Sequence, residues 1–71
     1  MSEVDKLFEN LCFDKLEGED EIIYRRGYDF ICFDLYDIGI DIINSDNSIY
    51  LDFEFLLAIY KKCKELGWEL D

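Results

Sequence analysis

Carboxylates are the side chains of this sequence with the greatest capacity for chemistry, and they are concentrated in two stretches. The first is a run of acids around Gly18: Glu17, Glu19, Asp20 and Glu21. The second is spread along the next segment of the chain: Asp29, Asp34, Asp37 and Asp41. Carboxylate oxygens accept charge-assisted, bidentate hydrogen bonds from Arg and Lys, as phosphate oxygens do. Such an array could therefore occupy a protein site that is built for phosphate.

The acidic run has a plainer interpretation as well. Blocks of like charge are usually solvated loops, and the run surrounds a glycine suited to a turn. The sequence leaves both interpretations open. If the array is functional, we expect the partner-binding residues to be these: Asp29, Asp34, Tyr36, Asp37, Asp41, Glu17, Glu19, Asp20 and Glu21.

Groups that commonly carry catalysis are scarce. The chain has no histidine for acid–base work or for activating a nucleophile. Its serines, Ser2, Ser45 and Ser48, all fall in predicted caps or turns. A chain of this length also has little room for a closed substrate pocket. The sequence therefore predicts a protein that is not an enzyme.

Metal and cofactor motifs are weak. The three cysteines, Cys12, Cys32 and Cys63, lack the C-x-x-C spacing of a zinc site. The acidic segment 44–52 lacks the central glycine and terminal glutamate of an EF-hand loop. The four glycines are isolated, so no phosphate-cradling loop is present. We expect no cofactor and no bound metal.

The charge balance restricts the partners. Among 71 residues there are 18 acids and 7 bases, for a net charge of −11, and no base lies between Arg26 and Lys61. Direct binding to nucleic acid or to an anionic membrane needs a basic face and is disfavoured. A basic protein partner is favoured, because complementary fields speed association. A homodimer stays possible, with the bases near the C-terminus supplying complementary contacts.

Hydrophobic periodicity predicts a helix at each end of the chain. Over residues 2–17 the apolar residues follow helical spacing, with Ser2 as N-cap, and Phe13 falls on the rim of the buried face or outside it. The second helix begins after Asp52 and ends at Gly67, with Trp68 packing back in a Schellman turn. Its predicted apolar face consists of Leu56, Ile59, Tyr60, Cys63 and Leu66.

The middle of the chain is predicted to form strands at 21–26, 28–36 and 38–44, with a possible edge strand at 49–51. Alternation places Ile31, Phe33 and Leu35 on one face of the second strand. The opposite face would carry a mixed aromatic and acidic patch: Tyr28, Phe30, Cys32, Asp34 and Tyr36. Apolar patches bordered by charge are typical of contact sites.

These elements predict a single α+β domain over residues 1–71. Short turns between strands favour an antiparallel sheet of three, or possibly four, strands. Two helices on one face of that sheet give the simplest two-layer arrangement, in the order αβββα.

In size, acidity and lack of catalytic groups, the chain resembles phage-encoded anti-CRISPR and anti-restriction proteins of the nucleic-acid-mimic class. The resemblance covers the general character of the whole chain and no motif, so no residue roles are carried over. It implies an inhibitor that blocks the nucleic-acid site of a CRISPR effector or nuclease. Two alternatives remain, an immunity protein or antitoxin that neutralises a nuclease, and a non-catalytic subunit or homodimeric structural module.

The expected location is the cytoplasm of a bacterial host. The N-terminus lacks the basic region and apolar run of a signal peptide, and three widely spaced cysteines suit a reducing compartment. Abundant Ile, Asp, Glu, Tyr and Phe fit an AT-rich coding genome, such as that of a low-GC bacterium or its phage.

Overall fold

The computed structural model describes residues 2–44 and 51–68 of the chain. In chain order the elements are α1 Glu3–Asn10, β1 Asp14–Glu17, β2 Glu21–Arg26, β3 Asp29–Asp34, β4 Gly39–Ile43 and α2 Phe53–Glu65. The strands form one antiparallel sheet in the order β1-β2-β3-β4. Both helices pack on the same face of this sheet. The predicted α+β class and two-layer arrangement are confirmed.

The first helix is shorter than its apolar spacing predicts. It begins as expected, with the Ser2 Oγ accepting a hydrogen bond from the Asp5 N–H at 3.0 Å. It ends at Asn10, because Cys12 adopts a left-handed backbone with φ 70° and turns the chain back. Residues 14–17, which were predicted to continue this helix, instead form β1 and pair with β2. The sheet therefore has four strands. The possible edge strand at 49–51 lies outside the described residues except for Leu51, which is in no strand.

Within the strands, the sheet faces follow the predicted alternation. The second predicted strand is shorter than expected, so Tyr28, Leu35 and Tyr36 lie in the turns that flank β3 and not on its faces. Ile31 and Phe33 are fully buried beneath the helices. In the register they pair with Tyr24 and Ile22 of β2, which are also buried on that face. The other face carries apolar and acidic residues, and no described helix covers it: Leu16, Ile23, Phe30, Cys32, Asp34, Asp41 and Ile43.

Aromatic rings make up the centre of the core. The Phe8 ring stacks on the Tyr24 ring with centroids 3.9 Å apart and an interplanar angle of 11°. Phe33 meets both rings edge to face. Phe13 packs edge to face on Phe8 and beneath the Arg26 guanidinium, which lies 4.5 Å from its centroid. Aromatic pairs in such geometries add about 0.5–1.5 kcal/mol each beyond their burial.

The ends of α2 are as predicted. The Asp52 carboxylate accepts a hydrogen bond from the Phe55 N–H at 2.8 Å and caps the N-terminus. At the C-terminus, the Trp68 N–H donates to the Cys63 carbonyl at 2.8 Å and the Gly67 N–H donates to the Lys64 carbonyl at 3.0 Å. These two bonds are the Schellman pair, with Gly67 at φ 81°.

The predicted apolar face of α2 is only partly correct. Ile59 is buried, and Cys63 and Leu66 pack against the core as expected. Leu56 and Tyr60 are exposed, because the buried stripe is rotated from the predicted one. The residues that are buried are Phe55, Ala58, Ile59 and Lys62. Leu56 is 51% exposed and Tyr60 is 56% exposed, although both are apolar and at core spacing in the sequence. The helix instead buries the stripe that contains Lys62. The ammonium of Lys62 meets the carboxylates of Asp5 on α1 and Glu65 on α2.

The burial of Phe13, just after the end of α1, can be tested by substitution. It is 4% exposed, where the sequence placed it at the rim or outside. We expect Phe13→Ala to lower the free energy of unfolding by about 3–5 kcal/mol, as for other buried phenylalanines. The measurement is urea unfolding followed by circular dichroism. Phe53→Ala is the matched control: that ring is largely exposed, so a change within about 0.5 kcal/mol is expected. Equal losses in both variants would contradict the placement of Phe13 in the core.

Candidate functional site

Two turns lie side by side at one end of the sheet. In an antiparallel meander the β1–β2 and β3–β4 turns fall at the same end, and the β2–β3 turn falls at the other. The Leu35 N–H donates to the Asp20 carbonyl at 2.8 Å, which ties the two turns together. Glu21 and Asp34 are direct partners in the β2–β3 register. The acids that are dispersed in the sequence therefore meet here.

We call this region the acidic end. It brings together eight of the nine residues expected to bind a partner: Glu17, Glu19, Asp20, Glu21, Asp34, Tyr36, Asp37 and Asp41. No base lies among the residues of these two turns and the strand ends that enter them. Tyr36 projects from the β3–β4 turn and is 80% exposed.

Asp29 is the residue that the structure separates from the others. It begins β3, whereas Asp34 ends it, which places them about 16 Å apart along the strand. Its carboxylate lies 3.9 Å from the Arg26 guanidinium at the β2–β3 turn. Asp29 therefore belongs to the opposite end of the sheet, where the local charge is partly compensated.

Asp34 stabilises the β3–β4 turn in addition to contributing a negative charge. Its Oδ1 accepts hydrogen bonds from the Tyr36 and Asp37 N–H groups, both at 3.0 Å. A carboxylate that binds the backbone two and three residues ahead fixes the turn that follows it. Asp34 thus holds Tyr36 and Asp37 in position, and substitutions there would disturb the turn as well as the charge.

The thiol at the edge of this region lies among carboxylates, which disfavour its ionised form. The Cys32 Sγ donates to the Glu21 Oε2 at 3.5 Å. Burial raises the pKa of Cys32, and the hydrogen bond and nearby carboxylates raise it further. Burial also raises the pKa of Cys63. Since the thiolate is the reactive form, both thiols are poorly suited to covalent chemistry.

A second cluster of ionisable groups lies between the helices and the sheet. The Asp5 carboxylate accepts a hydrogen bond from the Tyr24 hydroxyl at 2.7 Å and another from the Lys15 ammonium at 2.9 Å. The Lys62 ammonium lies 3.6 Å from Asp5 and donates to the Glu65 carboxylate at 3.2 Å. We call these five residues the Asp5 network.

The pKa values within the Asp5 network are strongly perturbed. Burial alone would raise the pKa of Asp5, but hydrogen bonds from Lys15 and Tyr24 and the charge of Lys62 outweigh it and hold the pKa at about 2. Burial, followed by the hydrogen bond to Asp5, raises the pKa of Tyr24 above its ordinary value. The hydrogen bond to Asp5 raises the pKa of Lys15.

The Asp5 network joins elements of the fold and is poorly placed for catalysis. Tyr24 and Lys62 are almost completely buried, so a substrate could not reach the hydroxyl or the ammonium. One feature of the sequence indicates this network. Lys62 follows Phe55, Ala58 and Ile59 at seven, four and three residues, so it lies on the core stripe of its own helix.

No known protein family, curated protein or solved structure matches this chain. Its site must therefore be interpreted from its own geometry. Within residues 2–44 and 51–68, no three acidic or cysteine side chains converge as metal ligands. Neither helix in that part of the chain is long and apolar enough to cross a membrane.

The β3–β4 turn also stores backbone strain. Ile38 has φ 55°, a left-handed conformation that a β-branched residue seldom adopts, and its side chain is 65% exposed. Strain of this kind is concentrated at binding and catalytic sites. The acidic end therefore combines crowded like charges with a strained turn, and the rest of the fold must stabilise both.

The Asp5 network gives a prediction for acid stability. Because the folded pKa of Asp5, about 2, is below the ordinary value of 3.8, its contribution is present above about pH 4 and is lost as the pH falls through 2. The shift corresponds to about 2 kcal/mol. We expect Asp5→Asn to be less stable than wild type by at least about that amount at pH 7, and the gap to narrow towards pH 2. Urea unfolding at a series of pH values measures both curves.

Glu9→Gln is the control for this experiment, since Glu9 lies exposed on the same helix. It should change the stability by no more than about 0.5 kcal/mol. A gap between Asp5→Asn and wild type that stays constant down to pH 2 would show that Asp5 does not act through its ionised form.

The strain at Ile38 gives a second prediction. We expect Ile38→Gly to raise the free energy of unfolding by about 1 kcal/mol, because glycine adopts positive φ without a steric penalty. Ile43→Gly is the matched control: Ile43 is similarly exposed but lies within β4, so glycine there should be destabilising. Thermal unfolding compares the two. A loss of stability in Ile38→Gly as large as in Ile43→Gly would show that Ile38 is held by packing and not against strain.

Proposed function

We propose that this chain is an acidic protein inhibitor that binds a basic nucleic-acid-binding protein, such as a CRISPR effector or a nuclease, and blocks its nucleic-acid site. The observation that supports the proposal is the acidic end. Seven carboxylates share it without an intervening base: Glu17, Glu19, Asp20, Glu21, Asp34, Asp37 and Asp41.

The spacing of these charges suits a surface of Arg and Lys. Neighbouring strands lie about 4.8 Å apart, so carboxylates on adjacent strands can each meet a separate Arg or Lys of one basic surface. Glu21 and Asp34 lie directly opposite each other, an arrangement of like charges that is destabilising within a sheet. A basic partner would reduce the repulsion between Glu21 and Asp34, so its binding would be favoured at this position.

Tyr36 supplies an apolar contact within this charged surface. Tyrosine is enriched at protein interfaces and is among the residues that contribute most to binding. Its exposure, at a turn fixed by Asp34, leaves the ring free to contact a partner at little entropic cost. A binding function needs neither a histidine nor a closed pocket.

Neutralising the acidic end should weaken partner binding. We expect the triple variant Glu19→Gln/Asp37→Asn/Asp41→Asn to bind its partner at least about tenfold more weakly at low salt, since it loses charge complementarity. Asp34 is left intact because it fixes the turn. The first measurement is capture on the immobilised protein from a lysate of a low-GC bacterium, with mass spectrometry of the proteins released by raised salt.

The matched control is Glu9→Gln/Asp14→Asn/Asp29→Asn, which removes the same number of charges at the opposite end of the molecule. A captured protein is then purified, and its binding to labelled nucleic acid is measured with each variant as competitor. Wild type and the control should compete, and the acidic-end variant should not.

A partner retained equally by both triple variants, or held equally well at high salt, would refute the proposal. The identity of the partner also distinguishes an effector inhibitor from an immunity protein.

A further inference from the structure

The face of the sheet that turns away from the helices, which we call the open face, carries an apolar strip. The five residues of the strip come from all four strands: Leu16, Ile23, Phe30, Cys32 and Ile43. Leu16 is 47% exposed and Ile43 is 57% exposed, and no described helix covers the strip. Exposed apolar patches that are bordered by charge are typical of protein contact sites.

The strand register makes the apolar strip continuous. Leu16 is the direct partner of Ile23, and Ile23 is the direct partner of Cys32. Phe30 lies two residues before Cys32 on the same face of β3, and its partner is Ile43. The strip therefore crosses the sheet from β1 to β4, which is about 14 Å at the usual spacing of strands.

Three carboxylates of the acidic end lie on the open face beside the apolar strip. Glu21 and Asp34 are direct partners, and Asp41 is the direct partner of Cys32. The Cys32 Sγ donates to the Glu21 Oε2 at 3.5 Å, so the strip and the carboxylates are in contact. Burial raises the pKa of the Cys32 thiol, and the charges of all three carboxylates raise it further. Apolar and negatively charged groups thus share one surface.

The charge of the open face is strongly unbalanced. Of the described strand residues that face this way, Arg25 is the one base, and its direct partner on β1 is Asp14. With the three carboxylates of the acidic end, the face carries four acids and one base. Two copies of the chain stacked through this face would bring the same excess of negative charge together, which disfavours a homodimer here.

The open face offers an occupant side chains and no backbone hydrogen bonds. The strands are hydrogen-bonded to one another across the sheet, so their N–H and C=O groups are used within it. An occupant must therefore satisfy its own backbone, as an α-helix does. A helix is about 10 Å across and three of its turns span about 16 Å, which matches the length of the apolar strip.

We propose that the open face docks a basic amphipathic helix of the partner. The apolar stripe of that helix packs on the apolar strip, and its Arg or Lys side chains contact Glu21, Asp34 and Asp41. This inference rests on the proposed function and adds which face of the molecule the partner covers. Charge complementarity selects a basic occupant, because the carboxylates lie on the same face as the strip and are in contact with it.

The apolar groove beside β4 is a different surface and provides the control. It lies on the helix side of the sheet, between β4 and α2, and Ile40, Leu56 and Tyr60 are among its lining residues. Lys64 is the one charged residue among the described residues that line it. A basic helix in this groove would therefore meet a base and no carboxylate.

Designed peptides test this occupant directly. The probe is a fluorescein-labelled helical peptide of leucine, arginine and alanine, with its leucines in one stripe along the helix. The matched control peptide has the same composition, with the leucines distributed around the helix. We expect the striped peptide to bind about tenfold more tightly by fluorescence anisotropy, because it can bury its leucines together against one surface without a change in charge.

Leu16→Thr/Ile43→Thr should abolish the preference for the striped peptide while leaving binding of the control peptide unchanged. Threonine favours strands and both side chains are about half exposed, so the sheet should stay intact. Leu56→Ala/Tyr60→Ala removes apolar side chains from the groove beside β4 and should keep the preference. Circular dichroism of each variant checks the fold.

Methyl NMR of the wild-type protein locates the striped peptide without any substitution. The methyl signals of Ile23 and Ile43, on the open face, should shift when the peptide is added. Those of Ile40 and Ile59, which line the groove beside β4, should not shift.

Three outcomes would refute the open face as the docking site. They are equal binding of both peptides, a preference that survives Leu16→Thr/Ile43→Thr, and methyl shifts confined to Ile40 and Ile59. A dimer in sedimentation that dissociates in Leu16→Thr/Ile43→Thr would assign the face to a second copy and overturn the inference as well. The proposed function fails separately, if Glu19→Gln/Asp37→Asn/Asp41→Asn binds both basic peptides as tightly as wild type does.

Discussion

The Asp5 carboxylate is the point at which most of the fold is joined. It lies on α1 and binds Lys15 of β1, Tyr24 of β2 and Lys62 of α2. A buried ion needs such partners, because removing an unpaired charge from water costs several kcal/mol. Because Asp5 is largely enclosed by these partners, the two helices lie on the same side of the sheet, against its first two strands, and in one relative orientation.

This constraint determines the surface as well as the core. Lys62 can reach Asp5 only if α2 turns that residue inward. On a helix of 3.6 residues per turn, the same rotation turns Leu56 and Tyr60 away from the core. The apolar groove beside β4 is thus a consequence of where a buried charge is satisfied. An electrostatic requirement in the interior places apolar side chains at the surface.

Local signals in the sequence predicted much of the fold and of the site. The helix caps at Ser2 and Asp52 and the strand alternation around Phe33 depend on neighbouring residues, so they could be recognised directly. The convergence of two acidic turns could be inferred only once the sheet was known to be a meander. β1 was missed because its residues are polar and become a strand through pairing with β2. The burial of Lys62 depends on a carboxylate 57 positions earlier, which periodicity within one helix does not reveal.

The two ends of the sheet differ in how their charges are satisfied. At one end, Arg26 lies near Asp29 and stacks on Phe13, so acid, base and aromatic ring stabilise each other within the chain. At the other, Glu21 faces Asp34 and Ile38 is held in a left-handed backbone, with no base in either turn. Opposite charges bound between these carboxylates would reduce their repulsion. A basic partner at the acidic end would therefore bind more tightly to the folded chain than to the unfolded one, and by linkage it would stabilise the fold.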